Sequence, residues 1–281
     1  MSYVLFDIGG TKTRVSVSED LKKFCDPIKF KTPETCEEGI DAIVEAVHTL
    51  TDKEIRAVAG GIRGVLDGEK EMMAHDPGGK LTGWEEKPLI TSLKKKLKTQ
   101  AFLENDAALV GLGEAVYGAG KGYEIVAYHT VSTGVGGAKI ENGVIDMYAN
   151  GFEPGHQILD IDRTILGEDV DPTLENLVSG TALESRTGQK PYDIEQSDAV
   201  WDQLAEYLAY GLRNTVLYWS PHVIVLGGSM IVGDPRIFLA DIIRHTREVL
   251  GERYECPDIL DAELGDFGGL YGAMARLNAE R

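Results

Sequence analysis

Four short segments hold the residues whose types and spacing could do chemistry. "FDIGGTKT" puts Asp7 at the end of an apolar run, then Gly9 and Gly10 in a turn, then Thr11 and Lys12. "FLENDA" puts Asn105 and Asp106 at the junction of a short apolar run and a helical one, "STGVGGA" builds a second turn from Thr133, Gly134, Gly136 and Gly137, and "VIVLGG" ends a third run at Gly227 and Gly228. Glycine leaves no Cβ between backbone and ligand, so three such turns at strand ends offer N–H groups to phosphate oxygens. The chemistry they suggest is the holding of a polyphosphate, with carboxylates at the ends of the elements beside it.

The rest of the composition narrows this. Lys plus Arg is 28 against 46 Asp plus Glu, a net charge of −18, which excludes a surface that gathers nucleic-acid phosphates or anionic lipid; any anion must be held locally. The usual nucleotide signatures fail: the nearest approach to a P-loop, "AVYGAGKG", lacks the first glycine and the final hydroxyl, and no GxGxxG follows a strand. Cys25, Cys36 and Cys256 are odd in number and widely spaced, which argues against a disulfide framework or a thiolate zinc cage. No apolar run reaches the ~20 residues of a membrane span and no secretory signal is visible, so the expected location is the cytoplasm.

The elements that must position these residues read as alternating strands and helices, an α/β pattern. Val4, Leu5 and Phe6 form a buried strand, and the alternation of Arg14 to Ser18 a half-buried one. Thr32 and Pro33 are the expected N-cap and first residue of an amphipathic helix carrying Ile40, Ile43, Val44, Val47 and Leu50. "YEIVAYHTVSTGVGGAKIENGVI" repeats the opening hairpin design, with Asn142-Gly143 as a type I′ turn. A long helix is expected at about 197 to 219 and a final helix in "FGGLYGAMARLNAE", while 151 to 195 shows no clean period. Two glycine-rich hairpins suggest a duplicated architecture, with a boundary near residue 115.

These segments, in this order from residue 3 to about 275, resemble the ROK family of sugar kinases and sugar-binding repressors, within the actin-like, hexokinase-like ATPases. The resemblance implies a two-lobed actin-like (ribonuclease H-like) α/β fold, each lobe a mixed sheet flanked by helices. The first lobe would be 1–115 joined by the C-terminal helix 267–281, and the second 116–266. It implies Asp106 as general base toward a sugar hydroxyl and Asn105 on a neighbouring hydroxyl. Gly9, Gly10, Thr11, Lys12, Thr133, Gly134, Gly227 and Gly228 would hold ATP, and Asp7 would hold Mg²⁺ directly or through water. Glu153, His156 and Glu175, from "EPGH" and "LENLVSG", and Gly64 would meet the sugar. Asp106 could equally be the N-cap of a helix over 106 to 117, and a helix N-terminus is expected to draw its pKa down.

The chain departs from that family in two places. "HQILDIDRTILGEDVDPTLE" stands where most members carry a cysteine-rich zinc motif, so no structural zinc is expected. Arg63 in "GIRGVLDGEK" stands where the family usually has proline. The expected function is ATP-dependent phosphorylation of a hexose or N-acetylhexosamine, at the 6-hydroxyl as the resemblance implies; the resemblance also suggests a homodimer, while the residues themselves leave the oligomeric state open. The alternative is a noncatalytic sugar-binding or sensing protein of the same family. A DNA-reading repressor is disfavoured by the charge and by a first strand that starts at about residue 3.

Overall fold

The apolar run that opens the chain becomes β1 (Ser2–Ile8), the middle strand of a five-stranded sheet in the order β3-β2-β1-β4-β7. β2 (Lys12–Ser18) returns antiparallel beside it and β3 (Ile28–Lys31) pairs outside β2, whereas β4 (Ile55–Ile62) and β7 (Gln100–Asn105) run parallel to β1 on its other side. Between them, β5 (Val65–Leu66) and β6 (Met73–His75) form a small antiparallel pair. Period-two alternation gives β1 two working faces. Val4, Phe6 and Ile8 join the core beneath α1 (Cys36–Leu50) and α2 (Leu89–Leu97), while Tyr3 and Leu5 join the core shared with the C-terminal helix Gly268–Asn278. α3 (Asp106–Tyr117) follows β7 without a loop.

The structure, a computed structural model, describes residues 1–149 and 151–280. By their contacts they divide into one unit of Met1–Tyr117, Met147–Gly151 and Asp266–Arg281, and a second of Gly118–Asp146 and Phe152–Gly265. The second unit repeats the first sheet's topology. β8 (Ile125–Val131), β9 (Val135–Glu141) and β10 (Val144–Ile145) form an antiparallel meander, with β11 (Val223–Gly227) and β12 (Asp258–Asp261) added parallel to β8 in the order β10-β9-β8-β11-β12. Asn142 and Gly143 both have positive φ, as the expected I′ turn requires. Its helices are α4 (Leu174–Val178), α5 (Gly180–Thr187), α6 (Val200–Trp219), α7 (Ser229–Val232) and α8 (Leu239–Leu250), and α9 is the C-terminal helix of the first unit.

One helix boundary differs from expectation. α1 starts at Cys36, and its N-cap is Thr35, whose hydroxyl accepts from the Glu38 N–H at 3.3 Å and donates to the Glu38 carboxylate at 2.9 Å. The hydroxyl of Thr32 is drawn away from the helix: it donates to the Gly9 carbonyl at 2.7 Å and bonds the buried Thr13 hydroxyl at 3.0 Å. The threonine that looked like a cap braces the first glycine turn.

The segment 157–172, where the cysteines of the resembled family are missing, is held by a carboxylate and a guanidinium. Buried Asp160 accepts from the N–H groups of Ile165 and Leu166, at 3.1 and 2.7 Å through Oδ2, and Arg163 donates to the carbonyl of Val170 at 2.6 Å. Among the described residues no group of three or more His, Cys, Asp or Glu could hold a metal ion, and no helix is long and apolar enough to cross a membrane.

Candidate functional site

In the first unit three adjacent parallel strands end together, and each delivers a chemical group there. Register pairs Ile8 of β1 with Ile62 of β4, and Ile62 with Asn105 of β7. Asp7 lies one residue before the end of β1, Arg63 is the first residue beyond β4, and Asn105-Asp106 closes β7. The carboxyl ends of parallel strands are where α/β sheets bind ligands, because the chain leaves the ladder there and exposes backbone groups.

Asp7 points to the α9 side of the sheet, close against Gly269: a Cβ there would lie 3.0 Å from the Asp7 carboxyl carbon. Arg14, its cross-strand partner, donates from Nη1 to Oδ2 at 3.2 Å, and from Nη2 to Asp266 at 3.1 Å. Burial pushes the Asp7 carboxyl up to about 6, against the pull of Arg14 and with a further push from the charge of Asp106. A carboxyl this costly to ionise, with only Oδ2 held by Arg14, fits a cation ligand, since a nearby positive charge would restore its ionised form. The turn that follows is closed by the Gly9 N–H on the Lys12 carbonyl at 3.0 Å. Thr11 and Lys12 are exposed on it.

Asn105 caps α3. Its Oδ1 accepts from the Ala108 N–H at 3.1 Å while its Nδ2 donates to the Gly64 carbonyl at 3.0 Å, which joins two of the expected sugar-side residues. Asp106 is therefore the first helical residue and not the cap, and its Oδ1 accepts from the Ala107 N–H at 2.9 Å. The expected downward shift of its pKa is also reversed. Burial raises it, and this outweighs the Ala107 hydrogen bond and the positive charge of Arg63. A helix terminus stabilises charge by a fraction of what removal from water costs, so desolvation decides the sign.

Behind this edge, buried Glu104 receives Lys70 at 2.7 Å and Arg276 of α9 at 3.2 Å, which pins the end of β7 from both sides.

In the second unit, the Thr133–Gly134 turn is closed by the Ser132 N–H on the Gly134 carbonyl at 2.8 Å, and the Ser132 carbonyl accepts from Gly180 N–H at the start of α5 at 2.7 Å. Glu175 is brought against this turn: its Oε2 accepts from the Val135 N–H at 2.7 Å, and a Cβ on Gly134 would lie 2.6 Å from the same oxygen. Glu153 precedes a single turn of 3₁₀ helix, Pro154–His156, which His156 ends, and both are exposed. Gln157 holds that turn, donating to the Pro154 carbonyl at 2.7 Å while Asn214 of α6 donates to it at 2.7 Å. Gly227 ends β11, and Gly228 has a φ of 88° and precedes α7. Ser132 and Ser229 hydroxyls, 3.0 Å apart, connect this turn to the Thr133 turn.

The sequence matches the model of the ROK family over residues 3–280. The chain belongs to the ROK family. It is 27% identical to a fructokinase of Lactococcus lactis subsp. cremoris over 82% of this chain and 79% of that protein. It is 28% identical to an N-acetyl-D-glucosamine kinase of Pasteurella multocida over 96% of this chain and 97% of that protein. Among solved structures, a ROK family glucokinase from Streptomyces griseus in complex with glucose and AMPPNP is 26% identical and superposes with a TM-score of 0.78, covering 100% of both chains. The two mixed sheets flanked by helices are those of the actin-like ATPases, to which the ROK kinases belong.

Several residues of this ROK protein's strand-end cluster escaped sequence reasoning. Arg14 was legible: the Ile8–Thr13 hairpin pairing sets it opposite Asp7, so an arginine at that step of an alternating strand is the natural partner. Asp76, Lys70 and Arg276 give no such signal, since nothing in the spacing links them to partners 13, 34 and 172 positions away.

Proposed function

We propose that this protein is a kinase that transfers the γ-phosphoryl group of ATP to the 6-hydroxyl of a hexose or N-acetylhexosamine, with Mg²⁺ as cofactor, in the cytoplasm. The observation that carries the reading is the placement of Asp106 and Asn105 at one sheet edge with Asp7 and the first glycine turn, in a chain that matches the ROK family from end to end. The glucose and AMPPNP in the Streptomyces griseus glucokinase complex support the two substrate classes.

In this reading Asp106 accepts the sugar hydroxyl proton as the hydroxyl oxygen bonds to the γ-phosphorus. The bond from that phosphorus to the β,γ-bridging oxygen breaks, and its electron pair leaves with ADP. A carboxyl raised by burial suits this role better than an ordinary one, because basicity rises with pKa. Asn105, fixed at both ends of its amide, holds the direction of approach by presenting a rigid strand end. Gly64, Glu153, His156 and Glu175 meet the sugar hydroxyls.

The N–H groups of the Gly9–Gly10 and Thr133–Gly134 turns, with Thr11 and Lys12, receive the phosphates, and Gly227 and Gly228 the nucleoside side. Asp7 would hold Mg²⁺, directly or through water, and the ion would supply neutralisation of phosphate charge. An ADP-release screen over glucose, mannose, fructose, allose, N-acetylglucosamine and N-acetylmannosamine tests the reading. Turnover of at least one is expected, and sugar binding without ADP release from any would leave the noncatalytic sugar-binding alternative.

A further inference from the structure

The most unusual group at the strand-end cluster is Arg63. It is placed by backbone on both sides: its N–H donates to the Ile8 carbonyl of β1 at 3.2 Å, and the residue before it pairs with Asn105 of β7. Among the described residues its side chain makes one hydrogen bond, Nε donating to Asp76 Oδ1 at 3.1 Å. Asp76 is built to hold it. The carboxylate is fully buried, Oδ1 also accepts from the Gly78 N–H at 3.1 Å, and Oδ2 accepts from Lys80 and Leu81 N–H groups at 2.7 Å each. Burial alone would raise its pKa, but the three N–H groups and Arg63 together hold it below the usual carboxylate range.

The loop hung on Asp76 lies against the first glycine turn. A Cβ on Gly10 would come within 2.9 Å of Lys80 Cδ and 3.3 Å of Arg63 Cδ, so the stems of two cations cover that turn in a chain whose net charge is −18. Nε of Arg63 is used by Asp76, whereas Nη1 and Nη2 hold no hydrogen bond among the described residues, and the guanidinium's charge reaches Asp106. A guanidinium fixed by a buried carboxylate, with its outer nitrogens uncommitted between a phosphate turn and a proton acceptor, has the geometry for clamping an anion in transit.

We infer that Arg63 is a catalytic residue that holds the equatorial oxygens of the phosphoryl group during transfer, supplied by the chain itself, with Asp76 as its positioning residue. The inference rests on the kinase reading for its substrate but on phosphate geometry for its action. As the γ-phosphorus leaves the β,γ-bridging oxygen and bonds the sugar oxygen, charge spreads over its three remaining oxygens, and a forked donor meets two of them. Lysine, a point charge, would meet them less well.

The test uses Arg63→Ala and Arg63→Lys in the full chain, with kcat and both KM values from ADP release, and calorimetric affinities for ADP and for ADP with aluminium fluoride, all in Mg²⁺. The lysine variant keeps a donor for Asp76 and so covers the case in which alanine loosens the 76–81 loop. In both variants kcat is expected to fall, by about 100-fold or more for alanine, since arginines in this role contribute 10³–10⁵. Both KM values should stay within a few-fold, and the tighter binding of ADP with aluminium fluoride over ADP alone should be lost. A kcat within about threefold of wild type, or a rise confined to the sugar KM, overturns the assignment. If wild type turns over no sugar, the kinase reading fails while the ratio of the two ADP affinities still judges Arg63: a ratio lost in the variants upholds the phosphate clamp, and one unchanged or absent in wild type refutes it.

Discussion

Replacing Asp106 by asparagine removes the proposed proton acceptor while leaving nearly everything else in place. Its Oδ1 takes one hydrogen bond, from the Ala107 N–H at 2.9 Å, which an asparagine oxygen accepts as well, and the cap of α3 belongs to Asn105. Because burial raises the Asp106 carboxyl, ionising it carries a desolvation cost that a neutral amide escapes. Thermal stability at pH 8 is therefore expected to hold or rise.

Loss of a general base slows catalysis about 10²–10⁴-fold, or about 2.7–5.5 kcal/mol of barrier, so kcat should fall at least ~100-fold with ATP affinity nearly unchanged. The assay is coupled ADP release under saturating ATP, alongside calorimetric nucleotide binding and a melting curve. A folded variant that turns over its sugar within a few-fold of wild type would refute the reasoning, and Glu153 would become the next candidate. The pH profile gives a second check: wild-type kcat/KM should fall on the acid side above the ordinary carboxylate range, and that limb should vanish in any residual activity of the variant.

The other expectations concern the supports of the fold and the turn. Gly10→Val sets a branched side chain at the proposed phosphate turn, where the atoms nearest a Cβ are the aliphatic stems of Lys80 and Arg63 and not backbone, so ATP affinity by calorimetry should drop in a protein that melts normally. Asp160→Ala strips the acceptor from the Ile165 and Leu166 N–H groups, and denaturant titration should show a loss of about 1–3 kcal/mol, whereas a zinc-selective chelator, with Mg²⁺ kept in excess, should leave both melting and activity of the wild type unchanged and elemental analysis should find no zinc. His129 is fully buried, bonded to Thr215 at 2.9 Å and held neutral by burial with its pKa down to about 4. The unfolded chain binds its proton first, so stability present above about pH 6.5 is lost as pH falls toward 4, about 3 kcal/mol for 2.5 units. His129→Gln should flatten that part of the stability curve, and an unchanged slope would assign it to other groups.

Much of this was legible because it is local. The buried run Val4–Phe6, the alternation of Arg14 to Ser18, the Asn142-Gly143 turn and the strand running straight into a helix at Asn105 are set by side-chain period and glycine backbone freedom, which act over a few residues. Where local rules competed, neighbours in space chose between them. Thr32 and Thr35 are both competent caps, and Thr32 lost the role because the Gly9 carbonyl and the Thr13 hydroxyl were within its reach.

The sequence by itself determined which backbone turns can face a phosphate and which carboxylates end the strands beside them, since a missing Cβ and a strand terminus are properties of a few consecutive residues. Tertiary structure decided what those carboxylates are. The direction of Asp106's pKa came from how much protein covers it, against the helix terminus that sequence reasoning weighed alone. The helix that Asp106 opens is itself set by a distant partner: α9 lies so close to α3 that a Cβ on Gly272 would stand in the Leu109 carbonyl, more than 160 positions away along the chain. The setting of Arg63 likewise came from Asp76, through a loop whose spacing carries no period. Burial and ion pairing sum over everything within reach in three dimensions, and no stretch of sequence contains its own neighbours.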